Sequence, residues 1–145
     1  MPDPPATGPR RSRCVYPGTF DPFTAGHRDL VDRSRRLFDH VTVLVAVNAG
    51  KQPTRTGEQR AREIRAALPA DWRNVTVVAW SGLTADYCRL HAATAIVRGV
   101  RNASDAEHES RLAAMNETLG VPTVFLPARP ELATVSSTAV RATAT

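Results

Sequence analysis

The chain has 145 residues, 42% of them hydrophobic and 23% charged, an ordinary balance for a single domain with a proper core. No apolar run approaches the roughly 18 residues of a membrane span. Met1 to Arg13 lacks the apolar centre of a secretory leader, and two cysteines make no disulfide framework, so buried thiols and a cytoplasmic location are expected. The net charge of +5 and pI of about 10.2 suit a polyphosphate ligand, and equally nucleic acid.

In chain order, residues 1–12, with four prolines and no periodicity, predict a disordered tail ahead of one domain over 13–145. Cys14-Val15-Tyr16 predicts a strand that Pro17-Gly18 stops. Beyond His27 the pattern turns helical, with Leu30, Val31, Ser34, Leu37 and Phe38 on one face. The β-branched run Val41 to Val47 predicts a strand covered on both faces. Thr56 to Leu68 predicts a helix with a capping box of Thr56 and Gln59, an apolar face of Ala61, Ile64 and Leu68, and a stop at Pro69. Val75 to Ala79 predicts a strand, Thr84 to His91 a short helix with Leu83, Tyr87 and Leu90 inward, and Thr94 to Val97 a fourth strand. Ser104 with Glu107 forms a second capping box opening a helix whose stripe is His108, Leu112, Met115 and Leu119, closed by Gly120. On that stripe His108 is expected as a packed neutral histidine. Thr123 to Leu126 predicts a fifth strand, and Ser136-Ser137-Thr138 a cap for a last short helix.

Strands alternating with helices give an α/β class: a Rossmann-like, doubly wound five-stranded parallel sheet with helices on both faces. Ligands of such sheets bind beyond the carboxyl ends of the strands, so the loops 17–27, 48–55, 80–84, 98–104 and 127–138 are where function is sought. Pro17 to His27 reads as strand, glycine-containing loop and helix start. Loop amides and the positive end of a helix dipole converge there on one point, an anion site. Gly18 and Gly26 let the backbone approach a phosphate closely, and Thr19 and His27 add a hydroxyl and an imidazole. Lys51 stands in the loop after the second strand. Arg98 and Arg101, flanking Gly99 and Val100, stand after the fourth and carry donors that fit phosphate oxygens.

Thr24-Ala25-Gly26-His27 resembles the (His/Thr)-x-Gly-His signature of the nucleotidylyltransferase superfamily. The longer string from Pro17 to His27 resembles its phosphopantetheine adenylyltransferase branch, and the resemblance runs over residues 13 to 141. It implies that Thr19, Lys51, Thr84 and Arg98 bind the acceptor substrate, and that His27, Lys51 and Arg98 are catalytic. It implies further that Thr19, Phe20, His27, Gly99, Val100, Arg101 and Glu109, with Leu132, Ala133, Thr134, Val135, Ser136, Ser137 and Thr138, bind ATP. Without it, Glu109 reads as a plain solvated helix residue. No protein metal ligands are assigned; Mg²⁺ is implied through the ATP phosphates.

The implied reaction joins ATP and 4′-phosphopantetheine to give dephospho-CoA and pyrophosphate, a step of coenzyme A synthesis. The attacking phosphate has a second pKa of about 6 and is largely dianionic at neutral pH. It needs no general base, only alignment of two anions and stabilisation of charge at the α-phosphate. The resemblance also implies a homo-oligomer, typically a hexamer, and inhibition by coenzyme A. Thr84, Ala106, His108 and Leu132 differ from the branch's usual residues, which keeps a related enzyme open: one acting on nicotinamide mononucleotide, or using CTP with an alcohol phosphate or phosphonate. A nucleic-acid-binding domain is disfavoured because aromatics are only 6% and fall in apolar patterns. A degenerate, non-catalytic nucleotide binder is disfavoured by intact Thr19, His27 and Lys51. No membrane partner is expected.

Overall fold

The computed structural model describes residues 11–47 and 55–129. Five strands and four helices alternate in it: β1 (Arg13–Gly18), α1 (Ala25–Leu37), β2 (His40–Ala46), α2 (Gly57–Ala67), β3 (Val75–Trp80), α3 (Thr84–Leu90), β4 (Ala95–Val100), α4 (Ala103–Thr118) and β5 (Thr123–Pro127). The strands form one parallel sheet in the order β3-β2-β1-β4-β5. The chain winds outward from β1 through β2 to β3, then returns to the other side of β1 for β4 and β5. With right-handed crossovers, that reversal puts α1 and α2 on one face and α3 and α4 on the other.

Alternation along the strands divides the core accordingly. Cys14, Tyr16, Val41, Val43, Val45, Val77 and Val97 pack with Leu30 and Val31 of α1 and with Ala61 and Ile64 of α2. Val15, Leu44 and Ile96 point the other way, onto Ala85, Tyr87 and Cys88 of α3 and onto Val121. Val41 to Val45 are buried without a break, as a strand covered on both faces requires. Both cysteines are free and buried; burial pushes the Cys14 thiol up to about 12 and the Cys88 thiol to about 11.

Several sequence expectations need correction. Pro17 and Gly18 do not stop β1 but complete it, paired to Leu44 and Val45. β4 runs on through Arg98, Gly99 and Val100, which pair with Phe125, Leu126 and Pro127 of β5 and so belong to the sheet, not a loop. Helix α1 begins at Ala25, so His27 lies in its first turn, and Leu37 is 63% exposed instead of inward. Leu83 and Leu90 also face out, and α3 buries Ala85, Tyr87 and Cys88.

The largest difference is α4. Its cap is Asn102, whose side chain accepts from the Asp105 amide at 2.8 Å, and not Ser104. Leu112 and Met115 are exposed, as is His108, which is therefore no packed histidine. The single residue that α4 buries is Glu109. Gly120, at φ 91°, closes the helix as expected. The expected tail over residues 1–12 lies almost wholly outside the described residues, as do Lys51 and the segment Leu132 to Thr138.

Candidate active site

The strand order reverses between β1 and β4, and a cavity of about 280 Å³ opens at their carboxyl ends. It is lined from β1 and its loop by Tyr16 to Phe20, from α1 by Gly26, His27, Asp29, Leu30 and Arg33, and from β4 by Arg98, Gly99 and Arg101. Asp105 and Glu109 of α4 and Ala128 and Arg129 beyond β5 complete the wall. A parallel sheet brings these sequence-distant tips to one rim because every strand ends there.

Thr24 to His27 is a capping box with histidine in the place usually held by Glu or Gln. The Thr24 hydroxyl accepts from the His27 amide at 3.3 Å, and His27 Nδ1 accepts from the Thr24 amide at 2.9 Å. An amide can only donate, so Nδ1 is the acceptor and the ring proton of neutral His27 sits on Nε2. Burial first, then the nearby Arg98 and Arg101, lower the His27 pKa to about 4. At neutral pH the residue is an uncharged hydrogen-bond donor with a fixed tautomer. Its ring is held among Tyr16, Phe20 and Phe23, with centroids 5.0 to 6.4 Å away.

Phe20 explains the glycine before Thr19. The loop turns back through a positive φ of 53° at Phe20, and the ring lies over Gly18. A Cβ at Gly18 would stand 2.7 Å from Phe20 Cζ, so a side chain there would displace the ring. Asp21-Pro22 is a cis peptide. Phe20 itself is 4% exposed, and its side chain belongs to the core. Thr19, by contrast, is exposed at the rim.

The opposite wall is an ion-pair lattice. Arg98 donates from Nε to Glu109 at 2.9 Å, from Nη2 to Glu109 at 2.7 Å, and from Nη1 to the carbonyl of Pro17. Burial alone would lower the Arg98 pKa, but the hydrogen bonds and charge of Glu109 outweigh it, with help from Tyr16 and Asp105, and the net shift is upward. Glu109 is therefore no solvated helix residue: it is 6% exposed and holds the Arg98 fork. The Arg101 amide donates to Asp105 at 3.0 Å, while its guanidinium is 3.7 Å from that carboxylate, a long contact that leaves its donors facing the cavity. Asp29 pairs with Arg129 at 2.9 Å and with Arg33 at 3.5 Å. Four arginines against three carboxylates leave a formal charge of +1 on the wall.

The cavity thus collects Thr19, Phe20, His27, Gly99, Arg98, Arg101 and Glu109 of the residues singled out in the sequence. It does not include Val100 or Thr84; Thr84 opens α3, beyond β3 at the far side of the sheet. Lys51 and Leu132 to Thr138 fall outside the described residues. Sequence reasoning assigned no role to Tyr16, Asp29, Arg33 and Arg129, and noted Asp105 only as a motif match beside Glu109. Asp29 and Arg33 carried a usable signal as an i,i+4 pair of opposite charge on one face of the helix.

A cytidylyltransferase-like family model matches residues 15–143, and the chain belongs to that family. It is 47% identical over 129 residues to a phosphopantetheine adenylyltransferase of Bifidobacterium longum, covering 88% of this chain and 78% of the relative. Among solved structures it resembles a lipopolysaccharide core biosynthesis protein from Thermoplasma volcanium, with a TM-score of 0.57 and 18% identity over 83% of this chain and 98% of that one. It also resembles a bifunctional NMN adenylyltransferase/ADP ribose pyrophosphatase from Francisella tularensis, complexed with AMP and a manganese ion. There the TM-score is 0.64 and the identity 15%, over 92% of this chain and 41% of that one. At those identities the two structures speak for the fold alone, a Rossmann-like doubly wound sheet.

Proposed function

We propose that the chain transfers the adenylyl group of ATP to 4′-phosphopantetheine, giving dephospho-CoA and pyrophosphate. The observation that carries this reading is the neutral, tautomer-fixed His27 in a cavity whose wall is cationic, in a chain 47% identical to a phosphopantetheine adenylyltransferase. An oxygen of the acceptor phosphate attacks the α-phosphorus of ATP in line, the bond to the β,γ-pyrophosphate breaks, and no covalent enzyme intermediate forms. The attacking group is an anion already, so the chain supplies alignment and charge stabilisation. Among the described residues, the cavity lining holds no cysteine, and burial raises the pKa of both cysteines of the fold.

In this reading Thr19, with Lys51, holds the incoming phosphate. His27 Nε2–H donates to the α-phosphate as charge grows there, without giving up its proton. Arg101 meets phosphate oxygens with free donors. Arg98 acts mainly as a fixed positive charge, because Glu109 and Pro17 occupy much of its fork. Ser136, Ser137 and Thr138 grip the β and γ groups. The three carboxylates of the wall all face arginines, a donor set that suits Mg²⁺ arriving on ATP oxygens and water. Bound that way, Mg²⁺ neutralises charge on the leaving pyrophosphate.

We place the protein in the cytoplasm, a reading in keeping with its free buried thiols and with the lack, among the described residues, of a helix able to cross a membrane. We also propose a homo-oligomer, a hexamer by resemblance, with coenzyme A as inhibitor. The exposed Leu112, Met115, Val124 and Phe125 of α4 and β5 are apolar surface that a second copy would cover.

Pyrophosphate release from ATP with phosphopantetheine tests the reaction directly. CTP as the nucleotide and nicotinamide mononucleotide as the acceptor serve as competitors. Faster release with either competitor would replace this assignment. Sedimentation velocity of Met115→Glu beside the wild type tests the assembly; equal sedimentation of the two would remove this face as the interface.

A further inference from the structure

Arg60 stands apart from the cavity, in the first turn of α2, and is 1% exposed. A buried guanidinium is costly unless its donors are satisfied. Its described hydrogen bonds all go to main-chain carbonyls: Nη1 to Thr19 and, at 3.2 Å, to Ala46, and Nε to Arg55 at 3.2 Å. Thr19 is the first residue past β1, and Ala46 the last of β2. One side chain therefore ties together the tips of the two central strands from beneath the rim. Arg55 works alongside it, reaching Asp21 of the same loop at 3.0 Å. Burial lowers the Arg60 pKa and Arg55 lowers it further, while Asp21 supports the charge.

We infer that Arg60 is a positioning residue for the acceptor phosphate: it fixes the Thr19 carbonyl, and hence the Thr19–Phe20 peptide and the Thr19 side chain beside it, against the carboxyl end of β2. The inference rests on the acceptor reading above. It extends that reading to a buried side chain that touches neither substrate. Arginine suits the task because one planar fork reaches carbonyls on two elements. Lysine keeps the charge but offers a point donor on a flexible stem, so it recovers part of the effect. Glutamine removes the charge and most of the donors.

The test compares Arg60→Gln and Arg60→Lys with Ile64→Val, a buried change one turn further along α2 that removes no hydrogen bond to a loop carbonyl. Arg60→Gln is expected to raise the KM for phosphopantetheine about tenfold or more, the scale of a lost hydrogen bond to a charged group. The KM for ATP should stay within about twofold, and Arg60→Lys should fall between. Ile64→Val should lower the melting temperature and leave both KM values alone. Amide exchange gives a substrate-free reading: residues 19–24 should exchange faster in Arg60→Gln and not in Ile64→Val. Unchanged acceptor KM and unchanged exchange in folded Arg60→Gln would overturn the inference, as would shifts matched by Ile64→Val. Should Arg60→Gln not fold, Arg60→Lys carries the same comparison with a smaller shift. If the wild type releases no pyrophosphate with phosphopantetheine, the substrate assignment fails by itself, and the exchange measurement still decides Arg60.

Discussion

Helices α1 and α4 run away from the same cavity on opposite faces of the sheet, and each sends titratable residues into it, His27 and Glu109 among them. His27 comes from the first turn of α1 and Glu109 from the second turn of α4. The two helices are anchored differently. α1 buries Leu30, Val31 and Ser34 against the sheet, so His27 is fixed by a packed helix as well as by its capping box. α4 buries only Glu109, so the contact that holds it to the sheet at that point is an ion pair with Arg98. In α1 the apolar stripe secures the functional residue. In α4 the functional residue is itself the anchor, and the apolar side chains face outward.

The sharpest way to break this comparison is at His27. His27→Ala removes one donor aimed at the reacting phosphate and should cut turnover by about 10² to 10³. Substrate binding should change much less, because the arginines remain. Near-normal turnover in a steady-state assay would take His27 out of the chemistry and leave it a helix cap.

Next in size is the packing contrast. Leu30→Ala opens a cavity beneath α1 and should cost about 2–5 kcal/mol in urea unfolding. Leu112→Ala, at a residue 40% exposed, should cost the single chain under about 1 kcal/mol. A larger loss at Leu112 that grows with protein concentration would mean that another copy covers α4.

The third effect is on pH. His27 has a folded pKa near 4, below the 6.5 of the unfolded chain. As pH falls through 6.5 the unfolded state takes up the proton first, so stability declines from there to about pH 4 and then levels for this group. The decline is at most about 3 kcal/mol. His40 is shifted in the same direction, by burial and by Arg13, and adds to the slope. His27→Gln should therefore flatten the stability profile between pH 4 and 6.5 without abolishing the remaining slope. An unchanged profile would mean that His27 titrates normally when folded.

The α1 side was legible in the sequence because local and tertiary signals agree there. Thr24 caps, Leu30 and Val31 repeat at helical spacing, and the strand before them is continuously apolar. Leu37, the last residue of α1, faces out, while Phe38 beside it packs against the core. On the α4 side the signals conflict. His108, Leu112 and Met115 have the spacing of a buried face, but Glu109 is drawn inward by Arg98, and one buried ion pair rotates the helix so that the stripe turns to solvent. No local pattern marks a carboxylate 11 residues away as an arginine's partner. The extension of β4 through Arg98 was hidden likewise, since arginine and glycine are poor strand formers and only pairing with β5 keeps them there. Arg60 was invisible for the same reason: an arginine on a helix reads as solvated until the carbonyls around it are seen.

The smallest effect distinguishes the two possible starts of α4. The spacing Ser104 to Glu107 looks like a capping box, whereas the structure caps the helix at Asn102, through the Asp105 amide at 2.8 Å. Asn102→Ala should then cost about 1 kcal/mol, the usual loss at an N-cap. Ser104→Ala should cost nothing measurable, because Ser104 already lies inside the first turn, where alanine is the better helix former. Asn102 also bears on the site. Asp105, whose amide it caps, accepts from the Arg101 amide at 3.0 Å, so a frayed first turn loosens Arg101. The Asn102 variant should therefore raise the KM for ATP a few-fold in step with its small loss of stability, and the Ser104 variant should change neither. The reverse pattern would move the start of α4 two residues along and detach Asp105 from the arrangement that holds Arg101.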